Sequence, residues 1–489
     1  MTKSLVFPLF LCTVIAFATG LIRADVREFG ATGDGKTDDT AAIQRTIGES
    51  QDGMVRLPRG DYRITRTLEV DLATVGRFAM DGSGGTARLL MAGPGPALRI
   101  IGTHEGTASP AGFKPEVWEQ ERMPQITGLE IVGDHPEADG IEVTGTMQPT
   151  LQRLLLRKLR HGVVVSGRNR NVLIDACHVY DNSGIGIYFK EVNLHQTIIQ
   201  GSHISYNKRA GIAVIGGEIR NFHVTGCDIE YNHDTEAEGS ADILFDHREG
   251  SIAEGSIVSN TIQARPSPGG ANIRFIGPER PVARTLSGLW SITGNLIGNQ
   301  ETNIHLVRSR GIAISGNHIY TGVNRSLVLD ECHHIVVGAN SFDQSHNHRG
   351  GFTNGVTVKD CDGVVLQGLI LDRAGDGGAG GAIEILNSRE TTISGCQIFE
   401  PNHRGLYLSG SRNTRASDNL ILHRGEGATM VAAIEVTGDC PGTVISGNLV
   451  GTGSAGDIVT PPDTNYTREN HPAAPFPPPT REHGGTPGI

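Results

Sequence analysis

Four successive segments near the middle of the chain carry polar side chains whose types could perform acid–base chemistry. Their carboxylates and imidazole can exchange protons near neutral pH, and their guanidinium can neutralise a bound anion. Carboxylate and amide oxygens are also the ligands that Ca²⁺ prefers. The polar residues, two from each segment, are Asp242, Asp246, Asn272, Arg274, Asn303, His305, Ser326 and Asp330.

Each of these segments reads as a short β-strand in which apolar and polar residues alternate. In the run from Asp242 to Asp246, the alternation predicts that Ile243 and Phe245 fill a core and that both aspartates face outward. Neighbouring strands lie about 4.8 Å apart. If the four segments stack side by side, their outward side chains therefore form one polar patch.

A short phrase that recurs along the chain indicates how the strands are stacked. It reads Ile292-Thr-Gly-Asn-Leu-Ile297 in one copy and Ile314-Ser-Gly-Asn-His-Ile319 in the next. From Cys177 onward its fourth residue recurs every 22 to 35 residues, which is typical of the coils of a parallel β-solenoid. With two less regular copies near residues 129 and 157, we expect about 13 coils.

The fourth residue of the phrase lies on a tight turn, where side-chain amides can satisfy backbone groups. We expect a buried ladder of Asn260, Asn295, Asn317, Asn340, Asn419 and Asn448. The two longest steps between copies, 33 and 35 residues, fall beside the polar patch. Their extra residues, including His233 and Asp234, should form loops that wall a cleft.

The ends of the chain differ from the repeats. Residues 1–24 read as a secretory signal peptide, with Lys3 before an apolar core, so we expect a secreted or periplasmic protein. Residues 25–459 would form the solenoid, and the proline-rich residues 460–489 a flexible tail. No other apolar run is long enough to span a membrane.

A helix is expected near the start of the solenoid. Asp38 or Asp39 can serve as its N-cap, and Ile43 with Ile47 forms an apolar stripe on one face. A helix that lies across the first coil would cover its open core and its unpaired strand edges.

The same region resembles a known family. The run Gly33-Asp-Gly-Lys-Thr-Asp-Asp-Thr-Ala-Ala-Ile-Gln44 and the later Leu57-Pro-Arg-Gly-Asp-Tyr62 are similar to the opening of the pectate lyase superfamily. That superfamily includes polygalacturonase-like hydrolases, rhamnogalacturonan-degrading enzymes and uronan epimerases. The resemblance implies an all-β, right-handed parallel β-helix whose third strand in each coil lines a polysaccharide groove. The polar patch lies on that strand.

With such a groove, the patch fits cleavage of a uronic-acid polymer by β-elimination. A cation neutralises the carboxylate, a base removes the C5 proton, and an acid assists the leaving oxygen. Arg274 would be the clamp or base, His305 the acid or base, and Asp242 with Asp246 the ligands of Ca²⁺. The predicted catalytic residues are Arg274, His305, Asp246, Asp242 and Asp330. The predicted substrate-binding residues are Asn272, Asn303, His247 and Arg248.

Three alternatives stay open. In a glycoside hydrolase two carboxylates would act as acid and base, but Asp242 and Asp246 lie roughly 13 Å apart along one strand. The patch could also be a solvated charge ladder on a carbohydrate-binding or structural protein. Asp139 and His161 precede the glycine of adjacent coils, where polygalacturonase-like hydrolases carry catalytic acids, although the paired aspartates of that family are absent.

Composition limits the partners. The 42 basic and 53 acidic residues give a net charge of −11, which argues against a nucleic-acid partner. Trp118 and Trp290 are the two tryptophans, and this scarcity of aromatic platforms favours an enzyme over a sugar-binding module. We expect a polysaccharide partner and a monomer or a trimer. Cys332 and Cys361 occupy equivalent places in adjacent coils, close enough for a disulfide.

Overall fold

The computed structural model describes residues 24–106, 109–279, 287–345, 354–376, 378–424, 430–462 and 464–474. Across these residues the chain is a parallel β-solenoid, as the repeat predicted. It has about 15 turns rather than the expected 13. Each turn contributes up to three strands, and equivalent strands of successive turns pair in parallel to form three long sheets.

The first sheet, here called the groove sheet, contains the third strand of each coil, including the four polar segments. Four of its strands continue without interruption into the second sheet. The groove-sheet strands are Leu68–Asp71, Gly95–Ile101, Ala138–Thr144, Val163–Asp175, Ile185–Gln200, Ala210–Thr225, Ala241–Val258, Ala271–Ile276, Thr302–Val307, Arg325–Asp330, Val356–Lys359, Ile383–Leu386, Arg404–Ser409, Ala432–Thr437 and Ile458–Val459.

The second sheet includes the later halves of those four long strands and precedes the tight turn. Its other strands are Ala24–Asp25, Met54–Arg56, Ala79–Asp81, Gln125–Thr127, Thr150–Gln152, Ser287–Thr293, Arg310–Ser315, His333–Val337, Asp362–Gln367, Arg389–Ser394, Arg415–Ser417, Val444–Ser446 and Thr467–Arg468.

The third sheet follows the tight turn and leads, through a loop, back to the groove sheet. Its strands are Asp34–Asp38, Gly60–Ile64, Ala87–Met91, Leu129–Gly133, Leu155–Arg157, His178–Tyr180, His203–Ser205, Asp228–Glu230, Thr261–Gln263, Leu296–Gly298, His318–Tyr320, Ser341–Asp343, Ile370–Asp372, Gln397–Phe399, Leu420–Leu422, Leu449–Val450 and His471–Pro472.

The predicted asparagine ladder is confirmed at the tight turn. The Asn260 Nδ2 donates to Asn295 Oδ1 at 3.0 Å, and Asn295 Nδ2 donates to Asn317 Oδ1 at 2.9 Å. The same pattern joins Asn419 to Asn448 at 2.9 Å. All of these side chains are buried, so the ladder satisfies polar groups that water cannot reach.

The expected capping helix spans Thr40–Glu49 and packs on the first strands with Ile43 and Ile47 buried. Asp39 occupies the N-cap position, but its carboxylate accepts from the backbone of Thr32 at 2.7 Å and of Gly33 at 3.0 Å. The acid therefore fixes the preceding loop. The remaining helices are the short Leu72–Val75, the 3-10 turn Pro110–Gly112 and the π-helix Val117–Glu121.

Two predictions about the chain's ends and cysteines change. Residues 1–23 of the predicted signal peptide lie outside the described residues, but coil pairing continues past residue 459 as far as Pro472. The predicted start of the tail is therefore too early. Cys332 and Cys361 carry free thiols, so the predicted disulfide is wrong. The Cys332 backbone N–H donates to Cys361 Sγ at 3.3 Å, and each thiol donates to backbone carbonyls.

Candidate functional site

A cavity of about 260 Å³ lies where the loops that leave the third sheet enter the groove sheet. We call it the central cavity. Four successive turns build it, and the loop of residues 233–240 forms one wall, as the long step in the repeat predicted. Its ionisable lining residues are His161, Tyr188, Lys208, Arg209, Asp234 and Glu238.

Strand register explains why these side chains meet. Ile185 pairs with Ala210, so His161, the start of strand Ile185–Gln200 and the Lys208–Arg209 pair lie on consecutive turns. Tyr188 is three residues into its strand and points outward by alternation, because Ile187 and Phe189 are buried. The outward column then continues along the groove sheet through Ala213 and Leu244.

His161 is held as a neutral hydrogen-bond donor. Its Nδ1 accepts the backbone N–H of Ile185 at 3.1 Å, so the proton of the neutral ring resides on Nε2. Burial lowers the pKa of His161, which disfavours the imidazolium. The Tyr188 ring lies beside it, with the ring centroids 5.3 Å apart.

Three charged side chains of the cavity have no ion-pair partner among the described residues. Lys208 and Arg209 are exposed and form no ion pair with a described residue, and the same holds for the Glu238 carboxylate. Burial raises the pKa of Tyr188, so its hydroxyl keeps its proton at neutral pH. Two unpaired cations, a phenol and a neutral imidazole thus face one cavity in a protein of net negative charge.

The structure places Arg274 and His305 side by side on adjacent groove strands, as predicted. Arg274 contacts the backbone carbonyls of Gly239 and Gly269, so it fastens the wall loop of the central cavity to the next loop. Burial and the neighbouring Arg274 lower the pKa of His305 to about 4, which leaves the imidazole neutral near pH 7.

Asp242, Asn272 and Asn303 do not face the groove, and the prediction that they do is wrong. All three are fully buried. Asp242 Oδ2 accepts from Asn272 Nδ2 at 2.9 Å, and Asn272 Oδ1 accepts from Asn303 Nδ2 at 3.0 Å. They extend a second buried ladder that begins with Asn182, Asn207 and Asn232. No polymer can reach these side chains from the groove.

Asp246 faces outward, but not beside Arg274. It pairs in register with Ile276, in the next outward column, and forms an ion pair with the exposed Arg248. Asp330 is in the same column as Asp246 but three strands away, roughly 14 Å at the spacing of strands. The Asp330 carboxylate lies 3.6 Å from Lys359 Nζ.

His247, predicted to bind substrate, is fully buried, and burial lowers its pKa to about 3. The predicted Ca²⁺ pair also fails, because Asp242 lies inside the coil and Asp246 outside it. Within the described ranges, no group of three or more His, Cys, Asp or Glu side chains could hold a metal ion.

Part of the central cavity's lining was visible in the sequence. His161 and Asp139 stood out before the strand glycines, but Asp139 is ion-paired with Arg160 and leaves His161 as the member that faces the cavity. The Lys208–Arg209 pair immediately precedes the strand that begins at Ala210, two turns after His161, which an alignment of the coils could have found. Tyr188 occupies an ordinary outward position on its strand, and only the other residues that line the cavity suggest a function for it.

Three family models match successive parts of the chain. Residues 24–76 match the rhamnogalacturonase A/epimerase, pectate lyase-like model, and residues 119–264 match the right-handed β-helix region. The chain is a right-handed β-helix protein with a pectate lyase-like N-terminal segment. Residues 275–438 of this β-helix protein match the model of the periplasmic copper-binding protein NosD. The described residues do not fit a copper site, since they contain no metal-binding group.

Individual relatives are short or distant matches. Alginate lyase 7 of Azotobacter vinelandii is 52% identical over 44 residues, which cover 8% of this chain and 5% of that protein. The tailspike protein of Dettilon is 16% identical, with a TM-score of 0.50 over 73% of this chain and 67% of its own. The A-module of an Azotobacter vinelandii mannuronan C-5 epimerase is 16% identical over 92% of this chain and 99% of its own, with a TM-score of 0.32. The tailspike match shows the fold alone.

Among the residues that the structure describes, no helix is long and apolar enough to cross a membrane.

Proposed function

We propose that this β-helix protein acts on an acidic polysaccharide and cleaves it by β-elimination in the central cavity. The observation that carries the proposal is the meeting of Lys208 and Arg209, both without a described ion-pair partner, with the Tyr188 hydroxyl and the His161 ring. Unpaired cations beside a proton donor suit a sugar that bears a carboxylate.

In the proposed reaction, the proton on C5 of a uronate residue passes to a base. The bond between C4 and the glycosidic oxygen breaks, a double bond forms between C4 and C5, and the leaving oxygen takes up a proton. Neutralising the carboxylate lowers the barrier to C5 deprotonation, because negative charge develops next to it. Lys208 and Arg209 would supply that neutralisation.

Tyr188 would donate the proton to the leaving oxygen, since burial keeps its phenol protonated. His161 would donate its Nε2–H to the substrate, because its Nδ1 is occupied by the Ile185 N–H. The base would be Glu238, a lining carboxylate without a described partner. Glu238→Gln should therefore abolish product formation, and an active Glu238→Gln variant would exclude Glu238 as the base.

The polymer would continue along the groove sheet toward Arg274 and His305. The outward column from Tyr188 to His305 crosses four strand spacings, roughly 19 Å. Arg274 and His305 would then contact sugar units beyond the cleaved bond, with Asp246 and Asp330 in the adjacent column and Arg248 beside Asp246.

Hydrolysis is a second candidate, because Asp234 and Glu238 both line the central cavity. Two carboxylates on opposite sides of a glycosidic bond could act as acid and base. The products separate the candidates. Elimination yields an unsaturated sugar that absorbs ultraviolet light, whereas hydrolysis yields reducing ends without that absorbance.

The test is an absorbance assay on a panel of alginate, polygalacturonate, glucuronan and neutral glucans. It is run with added Ca²⁺ and with a chelator, since a Ca²⁺ requirement stays a prediction. Absorbing product from a uronan is expected. Reducing ends alone would favour the hydrolase, and no product from any polymer would favour a binding or structural protein.

Variants then locate the reaction. We expect Tyr188→Phe to lower kcat by a factor of 10² or more, the range for loss of general acid–base catalysis. Arg209→Ala should raise KM about 10- to 100-fold, since a hydrogen bond to a charged group contributes about 1.5–3 kcal/mol. The matched controls are Tyr180→Phe and Arg415→Ala, both exposed and away from the cavity. Full activity in the Tyr188 and Arg209 variants would place the reaction elsewhere.

Export to the periplasm or the medium is proposed from the N-terminal sequence and agrees with the periplasmic family matched by residues 275–438. Cell fractionation with antibody detection tests it, and recovery in the cytosol alone would contradict it.

A further inference from the structure

Two further pockets lie near the middle of the long strands, where these strands pass from the groove sheet into the second sheet. One pocket, of about 260 Å³, is lined by Arg168, Arg170, His195, Arg220 and the buried His104. The other, of about 430 Å³, contains Phe113, Lys114 and Trp118. Arg170 lines both pockets, so they adjoin. We call them the cationic pocket and the aromatic pocket.

Strand register builds the cationic pocket. Arg170 pairs with His195, and His195 pairs with Arg220, so the three form one outward column on adjacent strands. Arg168 is two residues before Arg170 and faces the same way, because Asn169 between them is buried. Arg168 donates to the Gly106 carbonyl, which holds the segment that borders the pocket.

The positive charge of this pocket is not neutralised within the described residues. Arg168, Arg170 and Arg220 form no ion pair with a described carboxylate, and Glu218 is the one acidic residue in the lining. Burial and the nearby Arg168 and Arg170 lower the pKa of His104. A cluster of three arginines is unusual on a chain of net charge −11, whose other arginines are often ion-paired.

His104 provides an independent sign of a ligand. It is 3% exposed, and its Nδ1 has no hydrogen-bond partner among the described residues although it lines the cationic pocket. A buried polar atom without a partner costs about 1–3 kcal/mol. An oxygen-bearing ligand in the pocket would supply that partner.

The aromatic pocket offers a surface for a sugar ring. Trp118 is 45% exposed, whereas Trp290 is 3% exposed and packs among Phe222, Phe245 and Phe275. The Arg170 guanidinium lies 4.9 Å from the centre of the Phe113 ring. An apolar platform therefore stands next to the cationic pocket, which is the combination that an acidic sugar requires.

We propose that the two pockets form a binding site for a carboxylate-bearing oligosaccharide, with its acidic group on Arg168, Arg170 and Arg220 and an adjoining ring on Trp118. The site is separate from the central cavity, and the proposal does not require the protein to be a catalyst. It would let the protein hold an acidic polymer at a second place on the coil.

Tryptophan fluorescence tests the proposal, because Trp118 is exposed and Trp290 is buried in the core. The full-length protein is titrated with short oligomers of polygalacturonate and of alginate, with methyl-esterified oligogalacturonate, and with inorganic phosphate. Product absorbance is followed in the same samples, so that loss of binding and loss of cleavage are observed separately.

We expect a uronate oligomer to change the fluorescence of Trp118 and the methyl ester to bind at least about tenfold more weakly. Arg170→Ala and Arg220→Ala should each raise Kd about tenfold or more, as for loss of a charge-assisted hydrogen bond. Arg310→Ala, an exposed arginine outside both pockets, is the matched control and should change Kd less than about twofold.

Folding of each variant is checked by circular dichroism and thermal unfolding. Trp118→Ala, at an exposed position, should fold and lose the fluorescence change, and its weakened binding is measured by calorimetry. Equal binding of the methyl ester, unchanged Kd in both arginine variants, or binding of phosphate alone would overturn the proposal. So would the absence of binding by every uronate oligomer.

Discussion

Replacing Asp242 with asparagine should remove a pH dependence that this carboxyl imposes on folding. Burial raises its pKa from 3.8 to about 8, despite hydrogen bonds from Asn272 and Asn232. Between about pH 4 and about pH 8 the folded chain therefore holds a proton that the unfolded chain releases. The stability contributed by this group is present at low pH and falls by about 1.4 kcal/mol per pH unit through that window, roughly 6 kcal/mol in all.

Two buried histidines act in the opposite direction at lower pH. Burial lowers the pKa of His247 to about 3 and that of His305 to about 4. Because the unfolded chain binds protons at these residues below about pH 6.5, they raise stability as the pH rises to that value. The informative range is therefore about pH 6.5 to 8, where Asp242 still titrates and these histidines do not.

The asparagine variant should fold, because the buried ladder can realign. At present Asn232 donates to Asp242 from one side and Asn272 from the other, so the carboxyl group accepts from both directions. With asparagine at 242, the Asn272 and Asn303 amides can both turn over, so that Asn272 Nδ2 donates to Asn303 Oδ1, which at present has no partner among the described residues. All amides of the ladder would then donate in one direction.

The assay is urea unfolding of the unchanged protein and of Asp242→Asn at several pH values. Between about pH 6.5 and 8, the free energy of unfolding of the unchanged protein should fall by about 1.4 kcal/mol per pH unit relative to that of Asp242→Asn. Asp246→Asn is the control, since hydrogen bonds from Arg248 leave the pKa of Asp246 lowered and it is ionised throughout. Parallel curves for the unchanged protein and Asp242→Asn would refute the reasoning.

Three further predictions concern the walls and the ladders. Arg274→Ala should loosen the two loops whose backbone carbonyls Arg274 contacts. Amide hydrogen exchange should then become faster in those two loops alone, and unchanged exchange would contradict the prediction. Asn295→Ala should cost about 1–3 kcal/mol in urea unfolding, because Asn260 loses its amide acceptor; a cost below about 0.5 kcal/mol would argue against the ladder. Cys332 and Cys361 should both be alkylated after unfolding without reductant, and a linked peptide in mass spectrometry would contradict this.

Inside the strands, the sequence was sufficient to predict which side chains face the core. Ile243 and Phe245 are buried, and Arg274 lies beside His305, because the strands are regular at these residues and side chains alternate between the core and the surface. The asparagine ladder was predictable for the same reason. Its turn recurs with asparagine at the same place in several successive coils, where each buried amide can pair with the amide one turn away.

At the corners, alternation failed. Asp242, Asn272 and Asn303 are each the second residue of a groove strand, and Gly211 holds the equivalent position one turn before Asp242. A Cβ at Gly211 would lie 2.7 Å from Asn232 Nδ2, which shows that this position faces the ladder inside the coil. The chain is still bending there, so the strand rule assigns the side chain to the wrong side. The equivalent position in earlier turns is glycine, which has no side chain, so the sequence did not show that a side chain there points inward.

The central cavity was hard to predict because its residues meet through loops rather than through register. His161, Lys208 and Arg209 precede their strands, and Asp234 and Glu238 lie in a loop whose path the repeat does not specify. The sequence indicated that this loop is enlarged, and therefore where to look, but it did not indicate which side chains the loop would bring together.

Asp242 links the fold to the cavity, although it cannot be a catalytic residue. Asn232 precedes the wall loop and Asp242 follows it, and Asp242 Oδ1 accepts from Asn232 N at 3.1 Å and from Asn232 Nδ2 at 3.0 Å. These bonds join both ends of the loop that carries Asp234 and Glu238. Asp242→Asn keeps an acceptor for them and should retain the KM of the unchanged protein.

Asp242→Ala removes that acceptor and leaves the two Asn232 donors buried without a partner. The wall loop should then open, which would raise KM for the polymer and also lower kcat, because the proposed base Glu238 lies in this loop. A loss of kcat in both Asp242→Ala and Asp242→Asn, with KM unchanged, would mean instead that the carboxyl acts on the reaction itself. The sequence therefore identified Asp242 as a residue that matters for the site. Because Asp242 is buried, its role is to position the wall loop of the cavity.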